Sequence, residues 1–181
     1  QQGPDPWAIR YNDSYYYTHT TGRDLRLWET TRMEDLSDSE PTIIWTPPQG
    51  EEYSRHIWAP ELHFLDGKWY MYFAATHNDG GEESEDENRR MYVLENDQPS
   101  PMTANWELKG KIADATDKWA IDGTVFTLEE ENYFIWSGWE TRDHAANSGR
   151  QQLYIAKMEN PWTLEGSRVM ISQPDYEWEQ N

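Results

Sequence analysis

The chain has 181 residues, enough for one domain with a real core, and carries 34 acidic residues against 15 Lys and Arg, a formal net charge of −19. A surface of that sign repels phosphate backbones and anionic lipid, which argues against nucleic-acid and membrane partners and leaves a neutral ligand such as a polysaccharide compatible. Cysteine is absent, so disulfides, thiolate catalysis and a Cys-ligated zinc site are excluded.

The first four residues, Gln1-Gln2-Gly3-Pro4, show neither the basic nor the apolar region of a signal peptide, so a leader has been removed or was never there. From Trp7 onward the pattern is strand nearly everywhere. Short runs rich in Tyr, Trp, Ile, Val and Phe alternate with Gly, Asn, Asp and Pro clusters. No segment holds a helical period, and no apolar run approaches the roughly 18 residues a membrane helix needs.

The first unit comprises strands at 7–11, at Tyr15-Tyr16-Tyr17 after the turn Asp13-Ser14, and at Leu25-Arg26-Leu27-Trp28, with an outer strand near 42–45. The second repeats it: 62–65, then Lys68-Trp69-Tyr70-Met71-Tyr72 after Asp66-Gly67, then Met91-Tyr92-Val93-Leu94, and an outer strand near 106–109. The third reads 124–128, then Tyr133-Phe134-Ile135-Trp136 after Glu131-Asn132, then Leu153-Tyr154-Ile155-Ala156, with an outer strand near 168–171. Equivalent points, Tyr15, Trp69 and Tyr133, fall 54 and 64 residues apart.

Three units of four antiparallel strands predict an all-β chain holding about three propeller blades. The expected boundaries are about 5–50, 56–112 and 119–172, and residues 173–181, with Tyr176-Glu177-Trp178, approach a fourth. Two polar connections, 78–88 and 141–149, read as surface loops. The first carries the acid run 82–87, which lacks calcium-loop spacing and reads as solvated.

Eleven Trp and eleven Tyr are many for this length. Aromatic faces stack on the C–H faces of sugars and their polar tips bond hydroxyls, although bulky rings also simply fill the space between packed sheets. In a propeller the first strand of each blade lines the central channel. Its start is therefore where chemistry converges. The three starts read Asp5-Pro6-Trp7, His56-Ile57-Trp58-Ala59-Pro60-Glu61 and Trp119-Ala120-Ile121-Asp122-Gly123. An Asp beside Pro or Gly is otherwise a turn residue, but the matching positions of Asp5 and Asp122 in the repeat favour a shared cavity. Carboxylates held across a cavity are what glycoside hydrolysis uses, one as base and one as acid. No histidine falls in a metal-ligand pattern; His19, His77 and His144 sit in loops or strand ends, while His56 and His63 flank the Trp58 motif within reach of sugar hydroxyls.

Those three motifs, with Lys68-Trp69-Tyr70 and Phe134-Ile135-Trp136-Ser137-Gly138-Trp139, resemble glycoside hydrolase family 43, and within it the α-L-arabinofuranosidases, through essentially the whole chain. The resemblance implies a five-bladed propeller and hydrolysis with inversion at the anomeric carbon. By motif Asp5 matches the general base and Asp122 the carboxylate that orients the acid and tunes its pKa. The sugar-contacting set it implies is Trp58, Glu61, His56, Trp7, Ile121 and Trp139.

The family's general acid, a Glu in an Asn-Glu-Gly-Pro-like motif, has no counterpart here. A channel Ca²⁺ is expected only in a complete propeller, and no other cofactor is implied. The expected function is exo-acting release of α-L-arabinofuranose from arabinan or arabino-oligosaccharides, outside the cell, with the acid supplied from elsewhere. The alternatives are a β-xylosidase of the same family and a non-catalytic sugar-binding half-propeller. A second chain or self-association could complete the blades, since open strand edges invite pairing.

Overall fold

The computed structural model describes residues 3–77, 87–142 and 150–179. The acid run at 82–86, His144 and most of the 141–149 connection lie outside the described residues. Among the described residues, twelve strands form three separate four-stranded antiparallel sheets, each in simple sequence order. The first contains β1 (Trp7–Tyr11), β2 (Ser14–Thr18), β3 (Leu25–Thr30) and β4 (Thr42–Trp45). The second contains β5 (Arg55–Leu65), β6 (Lys68–Thr76), β7 (Arg90–Asn96) and β8 (Glu107–Ile112). The third contains β9 (Ala120–Leu128), β10 (Glu131–Gly138), β11 (Gln152–Asn160) and β12 (Thr163–Ser172). The chain is all-β, a partial propeller of three blades, with β1 and β9 each packed against β5.

Two inner strands begin well before the apolar runs that announce them: β5 at Arg55 rather than 62, and β9 at Ala120 rather than 124. Their opening residues include Pro60, which has no amide hydrogen, and Gly123, which has no side chain to pack. Both weaken a strand signal without preventing pairing at a bulge. Tyr176-Glu177-Trp178 form no strand; they enter an exposed 3₁₀ turn at Glu177–Glu179, with the Tyr176 and Trp178 rings stacked at 6.0 Å.

Each inner hairpin closes through two residues. Asp66 and Gly67, both at positive φ (51° and 81°), suit the tight turn whose twist matches the strands. Glu129 and Glu130 adopt the same sign (51° and 67°) without the glycine that would relieve it.

The core lies between blades, and β6 shows why. Trp69, Met71, Phe73 and Ala75 face blade one, where they share a cluster with Leu25, Leu27 and Ile44. Their neighbours Tyr70, Tyr72 and Ala74 face blade three and meet Val125, Phe134 and Trp136. Side chains alternate along a strand, so a sheet covered on both faces reads as one continuous apolar run, as Trp69-Tyr70-Met71-Tyr72-Phe73-Ala74-Ala75 does. The outer strand β12 has no such cover: Val169 and Ile171 are 60% and 49% exposed.

Candidate active site

Three residues that open inner strands share an uncommon backbone. Asp5 has φ 54°, Ala59 φ 42° and Asp122 φ 52°. The left-handed region costs an L-residue roughly 1–2 kcal/mol, and Asp is among the few that visit it readily. Asp5 and Ala59 also precede prolines, where extended backbone is the rule. Strain repeated at matched positions is a pointer to function.

Two of these places are bulged. Between the pairs Trp58↔Ala74 and Glu61↔Tyr72, two residues of β5 oppose one of β6. Between Ile135↔Thr124 and Ser137↔Ile121, Asp122 and Gly123 together oppose Trp136. A bulge bends the strand and re-aims its side chains. Gly123 is required by close approach: a Cβ there would lie 2.2 Å from Phe134 Cζ and 2.9 Å from Met91 Cε.

The result is one cleft of about 190 Å³ lined by Asp5, Pro6, Trp7, Ala59, Pro60, Glu61 and Asp122. Three carboxylates from three blades line it. A larger hollow of about 530 Å³ is lined, among the described residues, by Gln49, Gly50, Ser54, Arg55 and His77, with no carboxylate among these five, so size alone does not mark the site.

Burial in the concave wall, then the charges of Asp5 and Glu61, raise the Asp122 carboxyl above the usual range. Asp122 still reaches solvent through the cleft, so the rise reflects partial loss of water rather than enclosure. Glu61 Oε2 lies 3.0 Å from His63 Nε2. The Trp7 indole donates from Nε1 to the Leu62 carbonyl (3.0 Å), and its ring rests 5.1 Å from that of His63. That bond fixes Trp7 against the floor of the cleft.

Asp5 is held by a residue that motif reasoning passes over. Thr20 Oγ1 donates to Asp5 Oδ2 at 2.6 Å and accepts from the Ala59 amide at 2.7 Å. Thr20 lies in a polar link between β2 and β3, where it extends the β1–β2 pairing to meet Asp5 15 residues away, and no local pattern connects it to Ala59, 39 residues on.

Four residues expected to touch sugar do not line this cleft. The Arg89 guanidinium covers the Trp58 ring, 3.4 Å from its centroid. His56, at φ 51°, meets the same indole edge-on at 5.8 Å. Ile121 is buried in the core between blades two and three. Trp139 is 2% exposed and lies parallel to Trp119, at 4.6 Å and 7°. Among the described residues, no group of three or more His, Asp or Glu is arranged to hold a metal ion.

Comparison with known proteins adds an independent line. The profile of Glycosyl hydrolases family 43 matches residues 1–181. An extracellular exo-α-(1→5)-L-arabinofuranosidase of Streptomyces avermitilis is 38% identical over 178 residues, 97% of this chain and 35% of that protein. Its namesake in Streptomyces chartreusis is 36% identical over 183 residues, 99% of this chain and 53% of that protein. Among solved structures, an α-L-arabinofuranosidase from Lactobacillus brevis superposes with a TM-score of 0.86 at 34% identity, covering 98% of this chain and 55% of that one. The chain therefore spans between about a third and a half of the length of these curated relatives.

Proposed function

This chain belongs to glycosyl hydrolases family 43, and from that premise we propose that it carries the base-bearing part of an exo-acting α-L-arabinofuranosidase. The observation that carries the reading is the convergence of Asp5, Glu61 and Asp122 on one cleft beside Trp7. The relatives named above support arabinose-bearing glycans as substrate and an extracellular location. Residues 5–50, 56–112 and 119–172 are taken as the first three blades of a five-bladed domain, with 173–181 leading toward a fourth.

In this mechanism Asp5 removes a proton from a water molecule as its oxygen attacks the anomeric carbon from the face opposite the leaving group. The glycosidic oxygen departs with a proton from a carboxylic acid. Among the described residues no fourth carboxylate lines the cleft, so the acid is assigned to a part of the protein outside this chain. Asp122 and Glu61 hold that acid and the sugar hydroxyls in place. Trp7, rather than Trp58, offers the sugar an aromatic wall. A channel Ca²⁺ belongs to the complete propeller, and among the described residues no group of carboxylates and histidines is arranged to hold one.

The test uses the full-length enzyme on arabino-oligosaccharides, with the first-formed anomer followed by NMR. Inverted arabinose should appear, nitrophenyl xyloside should be a poor substrate, and Asp5→Ala should lower the rate by about 10²–10⁴. Retained configuration, preference for the xyloside, or an active Asp5→Ala variant would refute the assignment.

A further inference from the structure

The link 20–22 between β2 and β3 is stitched to the entry of β5. Gly22 and Ile57 exchange both backbone hydrogen bonds, at 3.1 and 3.3 Å. The Thr20 amide donates to the Pro4 carbonyl, one residue before Asp5, at 3.0 Å. Its hydroxyl then closes the arrangement, giving its single hydrogen to Asp5 Oδ2 and receiving the Ala59 amide. One hydroxyl rotamer satisfies both contacts, because donor and acceptor use different parts of the oxygen. The 2.6 Å distance lies within the range of O–H···O hydrogen bonds.

Two consequences follow for Asp5. Its left-handed, pre-proline backbone is held from the next blade, since Thr20 ties it to Ala59, which is likewise left-handed and pre-proline. One carboxylate oxygen is occupied, while Oδ1 receives no hydrogen bond from any described residue and Asp5 remains exposed to the cleft. A carboxylate pinned through one oxygen presents the other in a defined direction.

We propose that Thr20 is a positioning residue for catalysis, fixing the Asp5 carboxylate so that Oδ1 meets the attacking water. The proposal rests on the reading of Asp5 as the base. A misplacement of about 1 Å in a reacting group can cost on the order of 10²-fold. The experiment compares Thr20→Val, Thr20→Ser, Asp5→Asn and the double variant Asp5→Asn/Thr20→Val in the full-length enzyme, by steady-state kinetics and thermal melting. Valine keeps the branched shape and removes the hydroxyl.

Thr20→Val should lose about 10- to 100-fold in kcat with KM within about threefold, while Thr20→Ser should stay within about threefold of wild type. In the Asp5→Asn background, Thr20→Val should cause no further loss, because its effect runs through the carboxylate. If Thr20→Val fails to fold, Thr20→Ala takes its place in the same comparison. An active Asp5→Asn would sink the reading of the base and this proposal with it. An inactive Asp5→Asn beside a Thr20→Val with unchanged kcat would sink this proposal alone. So would additive losses in the double variant, or a Thr20→Ser as damaged as the valine.

Discussion

Replacing Gly123 with alanine would place a methyl carbon 2.2 Å from Phe134 Cζ and 2.9 Å from both Phe134 Cε1 and Met91 Cε. Carbon atoms in contact sit about 3.5–4.0 Å apart, so the ring must retreat by more than an ångström. It has nowhere to go: Phe134 is 1% exposed, with the Tyr72 and Trp136 rings each 5.6 Å away. Overpacking of this kind costs about 1–3 kcal/mol. A Gly→Ala change in ordinary backbone returns about 0.4–1 kcal/mol by stiffening the unfolded chain, which leaves a net loss near 1–2 kcal/mol. For a domain of this size that is a fall of roughly 2–8 °C in melting temperature, read by near-ultraviolet circular dichroism with the interblade aromatics as reporters. In the full-length enzyme activity should fall too, because the bulge that aims Asp122 rides on the same glycine. An alanine variant melting within a degree of wild type would show that Phe134 does not lock this strand.

Other substitutions test the electrostatics and the turns. The raised Asp122 carboxyl means that the folded state binds its proton more tightly than the unfolded chain does, so its contribution is favourable in acid and lost as pH rises through the folded pKa. Asp122→Asn should therefore stabilise the protein at pH 7, with the gain shrinking as pH falls through the folded pKa and gone below the unfolded carboxyl's value of about 4; equal stability at pH 7 would refute this. Asp24 has the opposite sign: burial alone would raise its carboxyl, but the two-pronged bond to Arg26 (2.7 Å to each oxygen) and the Thr21 hydroxyl hold it below the usual range. Its contribution is present above the unfolded pKa and lost as pH falls through the folded one. Asp24→Asn should thus destabilise at pH 7 by about 1–3 kcal/mol and much less in acid, which urea titrations at pH 7 and pH 3 would reveal. Glu130→Gly should relieve the left-handed strain of its turn and raise the urea midpoint by the equivalent of about 0.5–1 kcal/mol; a lower midpoint would contradict the turn assignment. The 181-residue chain alone should cleave natural arabino-oligosaccharides poorly, with residual turnover appearing first on aryl arabinofuranosides whose phenol needs little protonation. Full activity on the natural substrate would place an acid within this chain.

The repeat of turn and aromatic strand was legible without coordinates. Tyr15, Trp69 and Tyr133 fall on the second strand of three successive sheets, because alternation and turn chemistry act over a few residues and are written locally. Asp5 and Asp122 could be picked out for a related reason: strand starts in a repeat are equivalent, so a carboxylate at the same point of two units faces the same axis.

What only the tertiary structure decided was which neighbours of those carboxylates share the cleft. Trp58 lies three residues from Glu61, yet Arg89 covers its indole. Ile121 is next to Asp122 and buried. Thr20, by contrast, sits in a plain polar link; it meets Asp5 by extending the β1–β2 pairing, and its bond to Ala59 exists only because two blades pack side by side. Local pattern determined the strands, the repeat and the candidate carboxylates of this protein. The placing of the site residues was settled by positive φ, by the bulges of β5 and β9 and by hydrogen bonds spanning 15 and 39 residues, the longer of which depends on a distance between blades that no short stretch of sequence encodes.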